Sequence, residues 1–381
     1  MTIFFKPFLS LRPPLLAILI LLLPSINNLT LGASSNGSCD STLSTSSKPP
    51  QNIPSITLHN GVRMPIVAVG TCFRDCSKSD TQPTSSLPSN PNFFGFLPER
   101  TYYALSTALD LGYNHIDTAL VYRSQKAIGS VLAQKMTQGE LVREDIFITT
   151  KLFHGSMEGL TRQGSTLDLD NMSPEEVSKA IEAQFELILE ELGVGYVDCM
   201  LLHWPAIMDS KSELNPARRL AAWKVLESMY QRGWARSIGV SNFNEFHLEE
   251  LMQNGASILP MVNQIEASVY KQWGRIYDYC QEKGIAIMAY SPLGLGNQSL
   301  LTDPIILQIA ELKNVSASQV ALRYLIQKGY AVLPLSTSEK RLKSNLDLFS
   351  FELTDVEMSR LADLSYLKDE GIGLPSPYDM R

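Results

Sequence analysis

Cysteine and histidine are scarce in this chain, five of each among 381 residues. The cysteines, Cys39, Cys72, Cys76, Cys199 and Cys280, are odd in number and not spaced like zinc ligands, so neither a disulfide framework nor a metal cluster is implied. A single bridge between Cys72 and Cys76 stays open. Only His115 and His203 fall on predicted strands, too few for a barrel hydrolase that would gather several His and Asp ligands around a metal. No metal is expected. An excess of positive charge is also missing: the formal net charge is -7, and the lysines and arginines are scattered, which argues against nucleic acid as a partner. Absent too is the Gly-rich six-residue turn of a doubly wound dinucleotide binder, since "GVGY" at Gly193 and "GLGN" at Gly294 both stop short of it.

What is present is a regular alternation. With 44% hydrophobic and 19% charged residues the chain can bury a large core. Apolar, β-branched runs begin at Ile66, His115, Ile146, Val197, Arg236, Met261, Ala286 and Ala331, eight in all. Helical stretches lie between them, among them Pro174 to Leu192, with a capping signal "SPEE" at Ser173, and Ala217 to Arg232, which stops at Gly233. Eight strand-helix units in about 300 residues predict a closed (β/α)₈ TIM barrel, with an open doubly wound sheet as the rival. Ahead of the first run, Asn60-Gly61 lies between two short alternating segments and predicts a β-hairpin able to plug the lower mouth of the barrel.

The first fifty residues follow a different logic. Lys6 and Arg12 precede nine consecutive apolar residues, Leu15 to Leu23, closed by Pro24, the layout of a secretory signal. The run is short for a span, which needs about 20 residues. Residues 1–33 are therefore read as a signal or targeting segment that could insert transiently into a membrane, and 34–55, small, polar and ending in prolines, as a flexible linker in a disordered N-terminal extension. Secretory, endomembrane or organellar localisation follows from that segment. Sequons at Asn28, Asn36, Asn171, Asn297 and Asn314 matter only on the secretory route. The barrel takes up 56–381, interrupted by a Ser/Pro/Asn-rich insertion at 74–98 that is read either as a solvated loop or as a lid over the site.

Chemistry is concentrated at the predicted strand ends. Asp117 stands five residues before Tyr122, Lys151 ends the third run and His203 the fourth. Each has a plainer explanation: Asp117 as a helix cap, Tyr122 as a core aromatic, Lys151 as a solvated strand end, His203 as an imidazole packed beside Trp204 and Pro205. Together they make another reading available, because a cation between a carboxylate and a phenol favours the ionised phenol and so makes it a usable acid.

At these residues the sequence resembles the aldo-keto reductases. The resemblance runs from about Ile56 to Leu364 apart from the insertion, through "GYNHIDTALVY", "FITTKL", "LLHWP", "GVSNF", "VNQIEASVY", "AYSPLG" and "VLPLSTSEKRLKSN". It implies a barrel that binds reduced nicotinamide without a Rossmann turn and reduces aldehydes or ketones. Tyr122 would protonate the carbonyl oxygen, Lys151 would tune it, Asp117 would hold Lys151, and His203 would orient the carbonyl, with Trp204 beside it on the substrate. The cofactor set implied is Thr71, Ser241, Asn242, Gln264 and Tyr290 around the nicotinamide, Ser291 and Leu293 along the pyrophosphate, and Ser336, Arg341 and Asn345 at the adenosine end.

Three positions depart from the family pattern. Leu335 stands where many members carry a lysine for the cofactor's 2'-phosphate, Ser344 replaces a glutamate, and Cys72 replaces an aromatic wall of the substrate pocket. NADPH is the expected cofactor, with NADH open, and the expected partner is a small-molecule carbonyl bound by a monomer. A cytoplasmic location is the family-based alternative. The competing reading is a nicotinamide-binding barrel that senses redox state or contacts a partner with little turnover.

Overall fold

The eight apolar runs form one parallel sheet that closes on itself. The computed structural model describes residues 53–73, 97–152, 172–206, 212–368 and 376–379, all within the compact unit Pro50–Arg381. The hairpin comes first, β1 (Ser55–Thr57) against β2 (Arg63–Pro65), followed by the first barrel strand β3 (Val69–Gly70) and helix α1 (Pro98–Asp110). Next in the chain are β4 (His115–Asp117), α2 (Gln125–Thr137), β5 (Phe147–Leu152), α3 (Pro174–Leu192), β6 (Cys199–Leu202) and α4 (Asn215–Gln231). The second half runs β7 (Ile238–Ser241), α5 (Glu245–Gln253), β8 (Val262–Glu266), α6 (Gly274–Lys283) and β9 (Ala286–Tyr290). It ends with α7 (Gln298–Leu301), α8 (Pro304–Lys313), α9 (Ala317–Gln327), β10 (Ala331–Leu333), α10 (Glu339–Leu346) and α11 (Asp355–Lys368).

Strand order follows chain order from β3 to β10, every pair parallel. The ring is completed by a Val67–Val332 bridge, with Ala68 N donating to Val332 O at 3.0 Å and Val332 N to Ile66 O at 2.8 Å. Closure removes both edges, which rules out the open-sheet rival. Every residue of β5, β6, β7 and β8 is buried, as expected for strands covered by helices on one face and by barrel contents on the other.

Local signals account for several element ends. Ser173 caps α3 by accepting from Glu176 N, with Pro174 in the first turn and Gly193 in the left-handed conformation at the other end (φ 64°). Helix α4 begins at Asn215, two residues earlier than its sequence signal, and ends at Gln231 before Gly233 (φ 75°). The hairpin turn is wider than a two-residue Asn-Gly turn: Leu58 and Val62 are bonded at 2.9 Å, and the Asn60 side chain accepts from Val62 N at 3.2 Å.

That hairpin lies at the strand starts, as its sequence predicts. Asn60 Nδ2 donates to Arg236 O at 2.9 Å just ahead of β7, and Pro65 O contacts His115 Nδ1 at 2.7 Å at the start of β4. The same end carries a buried carboxylate, Asp198, bonded to Ile148 N (2.9 Å), Arg143 Nη2 (2.7 Å) and Arg236 Nη1 (2.8 Å). Full pairing is what a buried charge requires, and it pins the starts of β5, β6 and β7.

Residues 1–52, which hold the targeting segment and nearly all of the linker, and 74–96 of the insertion lie outside the described residues. The insertion's flanks are described and bonded to each other, Leu97 N to Phe73 O at 2.9 Å, so α1 enters the barrel from a closed base. Among the described residues no helix is long and apolar enough to cross a membrane.

Candidate active site

The opposite end of the barrel gathers the four residues singled out at the strand ends. Asp117 is the last residue of β4, Tyr122 ends the short 3-10 turn Leu120–Tyr122, Lys151 is the penultimate residue of β5, and His203 directly follows β6. Parallel register brings them together. Asp117 pairs with Thr149, Lys151 with Leu201, and His203 N donates to Leu152 O at 3.0 Å.

Lys151 is fully buried, and its ammonium has three acceptors: Asp117 Oδ1 at 3.0 Å, Asp117 Oδ2 at 2.9 Å and Thr118 O at 2.8 Å. Three donors meet three acceptors, so burial leaves no ammonium hydrogen unmatched. The same ammonium lies 5.1 Å from the centroid of the Tyr122 ring. The Tyr122 ring meets the His203 ring edge to face, with centroids 5.7 Å apart and planes at 78°. His203 in turn stacks on Trp204 at 6.3 Å and 23°. Phenol, ammonium, carboxylate and imidazole thus form one contiguous group.

Two contacts of this group had no signal in the sequence, although Gln264 itself stands in the implied cofactor set. The Thr118 carbonyl supplies the third acceptor for Lys151, and Gln264 Nε2 donates to Asp117 Oδ1 at 2.8 Å, tying β8 to β4 across the barrel. No short-range spacing reveals either contact, because one is a backbone atom and the other spans 147 residues.

A match to the family model described as "Aldo/keto reductase family" covers residues 95–365. The chain belongs to the aldo/keto reductase family. Among similar proteins, an aldo-keto reductase of Bombyx mori is 32% identical over 333 residues, 83% of this chain and 96% of its own length. The glyoxal reductase of Bacillus subtilis is 33% identical over 325 residues, 85% of this chain and 96% of its own length. Rho crystallin of Aquarana catesbeiana is 33% identical over 331 residues, 81% and 90% of the two chains. Among solved structures, the Bombyx mori aldo-keto reductase in complex with NADP superposes with a TM-score of 0.65 at 31% identity, covering 82% of this chain and 92% of that one. An aldo-keto reductase complexed with NADPH gives 0.67 at 29% identity, covering 87% and 90%.

In this aldo/keto reductase the remaining sequence-derived positions fall into three places. Ser241, Asn242 and Tyr290 line the ends of β7 and β9: Asn242 Nδ2 donates to His203 O at 3.0 Å and lies 3.1 Å from Ser241 Oγ, while Tyr290 OH donates to Asn242 Oδ1 at 2.8 Å. Burial and the Glu266 carboxylate push the Tyr290 phenol well up, which keeps it a donor. Asn242 itself has φ 61°, a left-handed conformation that Asn tolerates and that its surroundings must hold. Ser291 (φ 49°) and Leu293 lead into a turn with Gly294, Leu295 and Gly296 also at positive φ. Ser336 Oγ accepts from Arg341 Nε at 3.0 Å, and among the described residues no partner takes either terminal nitrogen of Arg341. Asn345 is buried on α10 and Leu335 is 39% exposed.

The structure does not bring every position to one surface. Thr71 is 2% exposed, and its hydroxyl donates to Asp117 O at 2.9 Å, so it supports the acid group from behind. Ser241 Oγ donates to Gln264 O at 2.9 Å, and Gln264 faces Asp117. The set still fits a nicotinamide nucleotide: an amide and a hydroxyl beside an aromatic ring, a turn rich in positive φ, and a guanidinium with both terminal nitrogens open to a phosphate.

Proposed function

We propose that the protein reduces an aldehyde or ketone to the alcohol with a reduced nicotinamide cofactor, NADPH ahead of NADH, and with Tyr122 as the proton donor. The observation that carries this reading is the Lys151 ammonium, fixed by Asp117 and Thr118, 5.1 Å from the Tyr122 ring. A bound reduced nicotinamide supplies the hydride. Asn242 and Ser241 would hold its carboxamide, Tyr290 would present a ring face, and Arg341 would meet the adenosine end. A fixed positive charge stabilises the phenolate left behind when Tyr122 gives its proton to the carbonyl oxygen. Because Asp117 and Thr118 hold the ammonium in advance, little reorganisation is needed during proton transfer. His203, packed edge to face on Tyr122, would orient the same oxygen, with Trp204 beside it toward the substrate. The NADP and NADPH complexes of the two solved relatives support the cofactor assignment.

The test is Tyr122→Phe in the full chain. The expected result is a loss of aldehyde reduction by about 10² to 10⁴, the usual contribution of a positioned acid, with NADPH binding retained. Equal turnover in the variant would end the reading. A second reading, nicotinamide binding with little turnover, is favoured by one observation: Leu335 presents an exposed apolar side chain where the family pattern has a phosphate-binding lysine. NADPH binding without oxidation across a broad aldehyde panel would select it.

For location, we propose that residues 1–33 direct the chain to the secretory route. The apolar run Leu15 to Leu23 behind Lys6 and Arg12 supports this. Fusing the first 50 or so residues to a fluorescent reporter tests it, that length being about a targeting peptide plus linker. Diffuse cytosolic fluorescence would refute it.

A further inference from the structure

The turn Pro377–Asp379 is tied to the barrel beside Asn242, and no part of the proposed chemistry uses it. Pro377–Asp379 form a 3-10 turn that caps itself: Asp379 N donates to Ser376 O at 2.9 Å and Ser376 N to Asp379 Oδ2 at 3.1 Å. From this turn Tyr378 OH donates to Glu245 Oε2 at 2.8 Å, and Pro377 O accepts from Asn244 Nδ2 at 3.0 Å. Arg275 lies on the other side of the same carboxylate, 2.5 Å from Glu245 Oε1, as a contact of charges without hydrogen-bond alignment. The Tyr378 ring lies 6.1 Å from Trp273 and 5.7 Å from the Arg275 guanidinium carbon.

The turn engages a nearly buried carboxylate and a buried amide, Glu245 at 8% and Asn244 at 3% exposure. Asn244 and Glu245 are the N-cap and first residue of α5, and Asn244 Oδ1 accepts from His247 N at 2.9 Å. Two residues upstream is Asn242, held in its left-handed conformation from inside the barrel by His203 O and Tyr290 OH. The turn from Ser241 to Glu245 is thus fixed from within by barrel groups and from without by Pro377 and Tyr378. A sparsely populated conformation persists when its surroundings over-determine it.

We infer that the C-terminal turn is a clasp that positions Asn242 toward the nicotinamide carboxamide, with Tyr378, Glu245 and Asn244 as positioning residues. The inference rests on the cofactor reading given above.

The test uses the full chain, with NADPH titrated by fluorescence quenching and steady-state kinetics on a generic aldehyde. Tyr378→Phe keeps the ring against Trp273 and Arg275 and removes only the hydroxyl. The expected result is a rise of about three- to tenfold in the NADPH dissociation constant and cofactor KM, the scale of one ordinary hydrogen bond and less than the full worth of a bond to a charged acceptor because Tyr378 acts on Asn242 only through the turn, with kcat within about twofold. Tyr378→Ala, which also removes the ring, should raise both further. Glu245→Gln, which keeps an acceptor for the phenol, should raise them less than Tyr378→Phe. The thermal midpoint without nucleotide should change little in Tyr378→Phe. Wild-type affinity in both Tyr378 variants would overturn the clasp, and so would a lowered midpoint at unchanged affinity, which would mean packing alone. Failure of the wild-type chain to bind NADPH would instead bring down the cofactor reading and the clasp with it.

Discussion

The Lys151 ammonium lies 5.1 Å from the Tyr122 ring centre, and β4 and β5 lie side by side to put it there. That one relationship separates the roles of the two residues. The lysine is a buried charge that the fold must satisfy, whereas the phenol is half-buried at the mouth.

Lys151→Met should therefore cost both stability and activity. It leaves Asp117 buried with Gln264 as a side-chain donor but no counter-charge, and breaking one half of such a pair costs about 3–5 kcal/mol. The double variant Asp117→Asn with Lys151→Met should recover much of the stability and none of the aldehyde reduction. Urea unfolding read beside NADPH oxidation checks both. A single variant as stable as wild type would contradict the burial argument.

Acid should weaken the fold through His115. Burial is the main cause that brings its imidazole down from the ordinary 6.5 to about 4, and both ring nitrogens are engaged, by Pro65 O and Thr149 Oγ1. The unfolded chain takes up a proton near pH 6.5 that the fold refuses until about pH 4. This contribution is thus complete above pH 6.5 and is lost as pH falls toward 4, by about 3 kcal/mol in all. His115→Gln should flatten the stability profile between those limits when unfolding is followed at several pH values; an unchanged slope would exclude His115 as the source.

Gly129→Ala tests where α2 meets α3. Alanine is the better helix former by about 1 kcal/mol. A Cβ at position 129, however, would lie 2.5 Å from Glu191 O and 3.0 Å from Leu192 O, backbone atoms that cannot swing away. Overpacking of this kind costs about 1–3 kcal/mol, so the variant should be the less stable one in denaturant titration. A stabilised variant would show that the helices can separate freely.

The two buried cysteines among the described residues should be inert in the folded protein. Burial pushes the Cys199 and Cys280 thiols up to about 12, so neither forms thiolate near neutrality. Iodoacetamide at pH 8 should label them only after denaturation, as peptide mass mapping would show. Labelling in the native state would reveal an opening of the barrel.

Much of the architecture was legible because it is written locally. Strand-length apolar runs, the Ser173 cap and the glycines at 193 and 233 each specify a short stretch on their own, and the observed elements follow them closely. The start of α4 was misplaced by two residues because Asn215-Pro216 opens the helix before its apolar pattern begins. Among site residues, Thr71 shows the limit of motif matching. Its place just past the first strand is compatible with cofactor contact, and its hydroxyl also donates to Asp117 O inside the barrel, a bond that no local pattern announces.

The sequence alone determined that eight strand-helix units would form and that an acid, a phenol, an ammonium and an imidazole would stand at successive strand ends. The tertiary structure decided which distant groups complete them: Gln264 on Asp117 across 147 positions, and Pro377 and Tyr378 on Asn244 and Glu245 across 133. Periodicity and capping act over a few residues, where covalent geometry fixes the neighbours. The Gln264–Asp117 contact, from β8 to β4, exists because the sheet closes into a ring, and closure depends on all eight strands at once.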